Sequence, residues 1–376
     1  MQELFTTFSN DQVYFDQESI IIHFNGHRNV VSTCNHNGGY REDLEYIYNN
    51  SCGKRIEAGD IVMMKGDNMQ EHYQALTTEL GLPLNTTTGM CTAALMENMS
   101  VVSKSKESIT VTAMVTAGID INGGRAGDPA QFNEFTNESL HIRPGTINIF
   151  LLIDAKLDAG TLTRSLITAT EAKSAALEEL MANSLYSEGL ATGSGTDNII
   201  AVGNLESSIQ LYNAGKHCIL GELIGWTVKK AVQEALEKQS GMNTSRQASI
   251  LWQNKRYGIT EKIIYQCYQQ LADCPKTSLE ALSPQIKETT SHNGLTGQIA
   301  AITHLIDQNR WGLVTDNTLK EVALKYLNIA REEYDLPKIK EINKKDSLYP
   351  FYKEIIRLIN ETLADILYKN EKKKRN

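Results

Sequence analysis

The rhythm of apolar positions changes along this chain, and the changes define its elements. Val13 to Phe15 and Ile20 to Phe24 are short β-rich runs around the polar Asp16-Gln17-Glu18-Ser19, which predicts a hairpin. Asn29 to Thr33 is a further apolar run, ending in the loop Cys34-Asn35-His36-Asn37-Gly38-Gly39. Behind Asp67, read as a helix N-cap, Met69, Tyr73, Leu76 and Leu80 recur at helical spacing until Gly81 and Pro83 stop the helix. Ile109 to Ala117 alternates β-branched and small residues like a half-buried strand. Gly145 to Asp154 is almost wholly apolar at its centre, as in a strand buried on both faces. A long helix is predicted from Ala159 to Met181. Leu162, Leu166, Thr170, Lys173, Leu177 and Leu180 share one face, and Lys173 interrupts its apolar stripe. Asn198 to Val202 reads as a strand, and His217 to Glu237 as a second long helix ending before Gly241.

Strands and helices mix in this part, so residues 1–242 are expected to form an α/β (or α+β) mixed-sheet domain. Beyond Asn243 glycine thins out and Lys, Glu, Leu and Ile rise. Amphipathic stretches such as Leu319 to Leu327 and Tyr352 to Leu367 predict a mostly α-helical C-terminal region, 243–376. That region is a candidate homo-oligomer or partner module; the plainer alternative is an appendage covering apolar surface of the first domain. Glu371 to Asn376 reads as a solvated basic tail.

Composition narrows the class. A chain of 376 residues can bury a sizeable core without disulfides or a structural metal. The net charge of −8 argues against a nucleic-acid partner, which needs a basic face. The six cysteines form no CxxC pair, which favours reduced thiols. MQELFTTFSNDQ is not a secretory pattern, and Ile147 to Ile153 falls far short of the ~20 residues of a membrane helix. A soluble, cytoplasmic protein with no membrane partner is the expectation.

No Gx4GK[ST], GxSxG or HExxH motif is present, so the best signals of phosphate-loop enzymes, α/β-hydrolases and zincins are missing. What remains is a set of strand-end loops rich in Gly, Asn, Thr and carboxylates. They are Asn37-Gly38-Gly39, Asn122-Gly123-Gly124-Arg125 with Asp128, and Thr192-Gly193-Ser194-Gly195-Thr196-Asp197. Glycines let backbone N–H groups approach a ligand, and Asn, Ser and Thr both donate and accept, which suits a ligand rich in amides and hydroxyls. Each loop alone could be a capped turn; three in one domain point to a site. Lys173, on the buried face of its helix, needs a partner, whereas Glu171 points elsewhere and could be one half of a surface ion pair. His217 at a helix start is disposed to be neutral, and so able to act as base or ligand. Glu222, five residues on, makes a poor metal partner for it. His23, His27 and His36 are a loose group without metal-ligand spacing, and Cys218 could be a nucleophile or a small buried residue.

In order and spacing, six blocks match one pattern: VSTCNHNGG from Val31, TAG with NGGRAGDP from Thr116, PGTINIFLLIDAKL from Pro144, ITATEAKSAALEEL from Ile167, ATGSGTD from Ala191 and AGKHCILGELIG from Ala214. Together they resemble the adenosylcobinamide amidohydrolase family over about residues 10 to 240. The resemblance implies hydrolysis of the amide joining an aminopropanol arm to the corrin ring, giving adenosylcobyric acid for cobamide salvage or remodelling. The corrinoid would be the substrate, with no cofactor required and metal dependence left open. Cys218 stands where the family pattern has Ser, which weakens a nucleophilic role there. On this reading the catalytic candidates are Asp197, Glu171 and His217. The substrate-binding candidates are Asn37, Gly38, Asn122, Arg125, Asp128, Lys173, Ser194, Thr196 and Glu222. Water attack assisted by a carboxylate or His217 is the expected route, with covalent catalysis through Ser194 or Thr196 as a variant. A corrinoid carrier or sensor without catalysis, and a metal-dependent hydrolase of another amide, are the competing readings.

Overall fold

The computed structural model describes residues 1–54, 65–133, 135–136, 138–139, 145–272, 274–342 and 349–375. Pro144, the start of one motif block, lies outside them. The described residues fall into two compact units, Met1–Asn243 and Thr244–Asn376.

The first unit contains two mixed sheets. One runs in the order β1 (Gln2–Thr6), β2 (Gln12–Asp16), β3 (Ser19–His23), β6 (Tyr46–Ser51), β7 (Thr87–Thr92). The other runs β5 (Gly39–Arg41), β4 (Arg28–Ser32), β11 (Asn198–Asn204), β10 (Thr146–Ile153), β9 (Ile109–Gly118), β8 (Ser100–Lys106). Each has one parallel pair, and a helix crosses over between its members: α1 (Met69–Glu79) for β6 and β7, α2 (Ala159–Glu179) for β10 and β11. A third long helix, α3 (Ile219–Ser240), follows β11.

Strand alternation builds four layers. Val111, Ala113, Val115 and Ala117 of β9 and Ile147, Ile149, Leu151 and Ile153 of β10 pack under α2 and α3. On the opposite face Met114, Phe150, Leu152 and Ile200 meet Ile20, Ile22, Ile47 and Met90 of the other sheet. The far side of that sheet, with Ile21 and Tyr48, is covered by Tyr73, Leu76 and Leu80 of α1 and its C-cap. The unit is therefore a helix–sheet–sheet–helix sandwich. Polar side chains interrupt the apolar seam between the sheets, Ser32 and Thr88 at 3.3 Å among them. Asn49 donates to the Thr116 hydroxyl at 2.9 Å, and Asn148 donates to the Asn49 carbonyl at 2.8 Å and to the Cys91 carbonyl at 3.0 Å.

The hairpin predicted around Asp16 to Ser19 is present, and it turns through Gln17 and Glu18 at φ of 46° and 59°. Three expectations are corrected. The cap of α1 is Asn68, not Asp67: Asn68 is extended and its side chain accepts from the Glu71 amide at 3.0 Å. Thr170 is exposed, because α2 packs through the small residues Ser165, Thr168, Ala169, Ala172 and Ala176, which rotate its buried face away from Thr170. The helix predicted from His217 begins at Ile219, leaving His217 in the preceding turn.

The second unit is helical: α4 (Glu261–Gln269), α5 (Leu279–Thr290), α6 (Asn293–Arg310), α7 (Asp316–Glu333) and α8 (Phe351–Arg375) surround their own core, including Ile264, Ile286, Ile302, Leu327 and Ile359. Within that core Arg256 forms a two-pronged pair with Asp307, both contacts 2.7 Å. The tail expected to be solvated from Glu371 continues as helix to Arg375. Among the described residues no helix is long and apolar enough to cross a membrane.

Candidate active site

Gly118 at the end of β9 pairs with Thr146 at the start of β10, and Asn148 of β10 pairs with Asn198 at the start of β11. The loops that follow or precede these strand ends therefore gather at one edge of the sheet. Gly124 and Gly193 bridge the first and last of them, with the Gly124 amide donating to the Gly193 carbonyl at 2.9 Å.

Asp197 is the hub. Its Oδ1 accepts from the Ile147 amide at 2.9 Å and the Ser194 hydroxyl at 2.7 Å. Its Oδ2 accepts from the Ser194 amide at 3.0 Å and from the Lys173 ammonium. These donors occupy all four lone-pair positions of the carboxylate. Both members of the ion pair are buried, at 9% and 10% side-chain exposure, so Lys173 has the partner its place on α2 demands. Gly193 explains how the pair fits: a Cβ there would lie 2.1 Å from Asp197 Oδ2 and 2.6 Å from Lys173 Nζ. Ser194 is half-buried and Thr196 exposed, so the hydroxyl side of the hub faces outward.

A second network adjoins the first. The Gly145 carbonyl accepts from Asn122 Nδ2 at 2.8 Å and from Thr196 Oγ1 at 3.1 Å, joining two candidate loops through one atom. The Tyr186 hydroxyl donates to Asn122 Oδ1 at 2.7 Å. Asp128 accepts from the Arg125 amide at 2.7 Å and the Ser184 hydroxyl at 2.5 Å. Burial acts to raise the Asp128 carboxyl, but the Ser184 and Ser187 hydroxyls and the Arg125 amide outweigh it and hold it below the usual carboxylate range. Arg125 is exposed, with one guanidinium N–H on the Leu190 carbonyl at 3.2 Å.

Asp197, Lys173, Ser194, Thr196, Asn122, Arg125 and Asp128 are thus brought together. Other candidates lie elsewhere. Glu171 pairs with Lys216 at 2.8 Å on the surface, and His217 is exposed in the turn before α3. Glu222 pairs with Lys106, at the end of β9 opposite Gly118. Asn37 spends its amide on the Leu84 and Thr87 carbonyls at 2.7 and 2.8 Å, which pins its own loop. Gly38 is packed against the Cys34 carbonyl, so it serves that tight turn. Beside it, burial and the Arg41 cation hold the His36 imidazole below its ordinary pKa. His23 stacks on Tyr46 with centroids 4.5 Å apart, and among the described residues no three His, Cys, Asp or Glu side chains converge as a metal-ligand set. The Cys218 thiol donates to the Asn213 and Gly215 carbonyls at 3.0 and 2.9 Å, closing its turn.

Thr146, Ser184 and Tyr186 belong to the site although their residue types do not single them out. Thr146 Oγ1 donates to the Thr196 carbonyl at 2.6 Å. Only its position, at the start of an apolar strand facing Asp197, could have marked it.

Comparison with known proteins places the chain in a family. Residues 2–244 match the family described as adenosylcobinamide amidohydrolase. An uncharacterized protein of Methanocaldococcus jannaschii, MJ1613, is 32% identical over 240 residues, covering 61% of this chain and 89% of that one. The crystal structure of the PH0078 protein from Pyrococcus horikoshii OT3 aligns over 62% of this chain and 80% of that one, at 13% identity and a TM-score of 0.30, too slight a likeness to bear on the fold. Through residues 2–244, which hold both networks, the chain belongs to the adenosylcobinamide amidohydrolase family.

Proposed function

We propose that this protein hydrolyses the amide linking the aminopropanol arm to the corrin ring of adenosylcobinamide, releasing adenosylcobyric acid and aminopropanol. Membership of the family supports the reaction class. The observation that carries the placement of the chemistry is the buried Lys173–Asp197 pair, whose carboxylate holds the outward-facing Ser194 at 2.7 Å. Buried charge is expensive unless it is used or fully paired, and this pair lies where three polar loops meet. Asn122, Arg125, Asp128 and Thr196 supply the surrounding hydrogen-bonding groups, suited to a macrocycle ringed by amide side chains.

Asp197 is the catalytic centre of this reading. Glu171 and His217 share no hydrogen bond with it among the described residues, and we assign them to the surface around α3. The corrinoid is the substrate and the chain acts in the cytoplasm. The helical unit is a candidate homo-oligomerisation module. Incubation of the full chain with adenosylcobinamide, followed by chromatography and mass analysis, tests the reaction. Adenosylcobyric acid and aminopropanol in equal amounts are the expected products. Tight binding with no product over hours would replace the enzyme with a corrinoid carrier.

A further inference from the structure

We propose that Ser194 is the nucleophile of this hydrolysis and that Lys173 positions it through Asp197. The inference rests on the amidohydrolase reading above. A carboxylate that activates water needs a free lone pair, and the four on Asp197 are already filled by Ile147, Ser194 twice and Lys173. The proton that Asp197 is placed to receive is that of the Ser194 hydroxyl, 2.7 Å away. Ser194 is half-buried beside the exposed Gly195 and Thr196, whereas the Lys173 and Asp197 side chains keep only 9% and 10% of their exposure.

The loop geometry fits an attacking hydroxyl. The Thr196 amide donates to Ser194 Oγ at 3.2 Å, which fixes the oxygen from a second side. Gly195, the next residue, is exposed, and a Cβ there would meet nothing within 4 Å. A substrate carbonyl can therefore reach the backbone beside the nucleophile. The Gly195 amide, one residue past the attacking oxygen, is in sequence position to steady the oxyanion.

In the first step Ser194 Oγ bonds to the amide carbon while its proton passes to Asp197 Oδ1. This transfer accompanies C–O bond formation. Collapse breaks the C–N bond, and the same proton goes to the leaving nitrogen, freeing aminopropanol and leaving an ester on Ser194. Once esterified, Ser194 Oγ no longer donates to Asp197 Oδ1, which frees that lone pair; water then attacks the ester, giving its proton to Asp197 and thence to Ser194 Oγ, and cobyric acid departs. No oxidant, reductant or second substrate is consumed.

The test is a quenched single turnover of the full chain with adenosylcobinamide. Expected are release of aminopropanol ahead of adenosylcobyric acid and a peptide whose Ser194 carries the corrinoid acyl mass. Added hydroxylamine should divert product to the hydroxamate without changing the rate of aminopropanol release. Ser194→Ala, checked for an unchanged melting profile and corrinoid affinity, should lose at least ~10³-fold in kcat. Normal turnover in the native protein with neither adduct nor hydroxamate overturns the covalent step, as does a Ser194→Ala variant within about tenfold of native. Both results leave the hydrolase reading standing. Absence of any aminopropanol release from the native protein removes that reading and this step together.

Discussion

Replacing Lys173 with Met tests the centre of the site through stability alone, independent of substrate. The substitution keeps the aliphatic stem and removes the cation. Breaking a buried ion pair by deleting one partner costs about 3–5 kcal/mol, mostly from the charge left behind. Asp197 would keep three donors, the Ile147 amide and the amide and hydroxyl of Ser194, so the lower end, ~3 kcal/mol, applies. For a unit the size of Met1–Asn243 each kcal/mol moves the melting temperature by about 2–4 °C, giving a fall of ~6–12 °C. Asp197→Asn should also destabilise, by stranding the cation. The double variant should be less damaged than the sum of the two, with a coupling of ~1.5–3 kcal/mol. Thermal and urea melts by circular dichroism measure all four proteins. Lys216→Ala is the control: its pair with Glu171 is 60% and 47% exposed, and its loss should change stability by less than ~1 kcal/mol. A Lys173→Met melt indistinguishable from the control, or a strictly additive double variant, would refute the assignment of a buried coupled pair.

Four further outcomes are expected. Gly193→Ala puts a methyl 2.1 Å from Asp197 Oδ2 and should destabilise by ~1–3 kcal/mol while lowering turnover more than Asn37→Ala does, measured by melting and product release. Asn37→Ala removes the hydrogen bonds to the Leu84 and Thr87 carbonyls, with weaker ones to His36 and Arg41, and puts Ala at φ 51°, so ~2–3 kcal/mol of stability should be lost with KM nearly unchanged; a large rise in KM would return Asn37 to the binding surface. The His36 imidazole is depressed by burial, so its contribution to stability is full above its unfolded pKa of about 6.5 and is lost as pH falls through that value toward the folded pKa. His36→Gln should therefore flatten the decline in melting temperature below pH 6.5, seen as a smaller slope across an acid pH series. A chain ending at Asn243 should melt cooperatively and retain amidase activity, since the two units have separate apolar cores; loss of the cooperative transition would contradict this.

The sequence is informative where chemistry is local. The span of α2, the stop of α3 before Gly241, the strand from Thr146 to Ile153 and the need of Lys173 for a partner all follow from nearby residues, and the structure has each. Strand β8 is hidden because its hairpin turns through Glu107 and Ser108 at φ of 50° and 63°, without the Asn or Gly that would announce such a turn. The position of Glu222 depends on its partner: the same hairpin sets Lys106 beside Ile109, at the far end of β9 from Gly118, and with β8 hidden that pairing could not be read. Asn37 shows a different limit: its amide suits a ligand or a neighbouring carbonyl equally, and only tertiary packing assigns it to Leu84 and Thr87.

The polar contacts of Asn49, Asn148 and Thr116 across the sandwich seam bear on how a broad, flat ligand could be admitted. Strands slide in steps of two residues, about 7 Å, if their faces are to stay matched. Any such slip would strand these buried amides at ~1–3 kcal/mol each. The two sheets are latched into one plate. Accommodation of a macrocycle therefore falls to the strand-end loops, above a floor that does not shear.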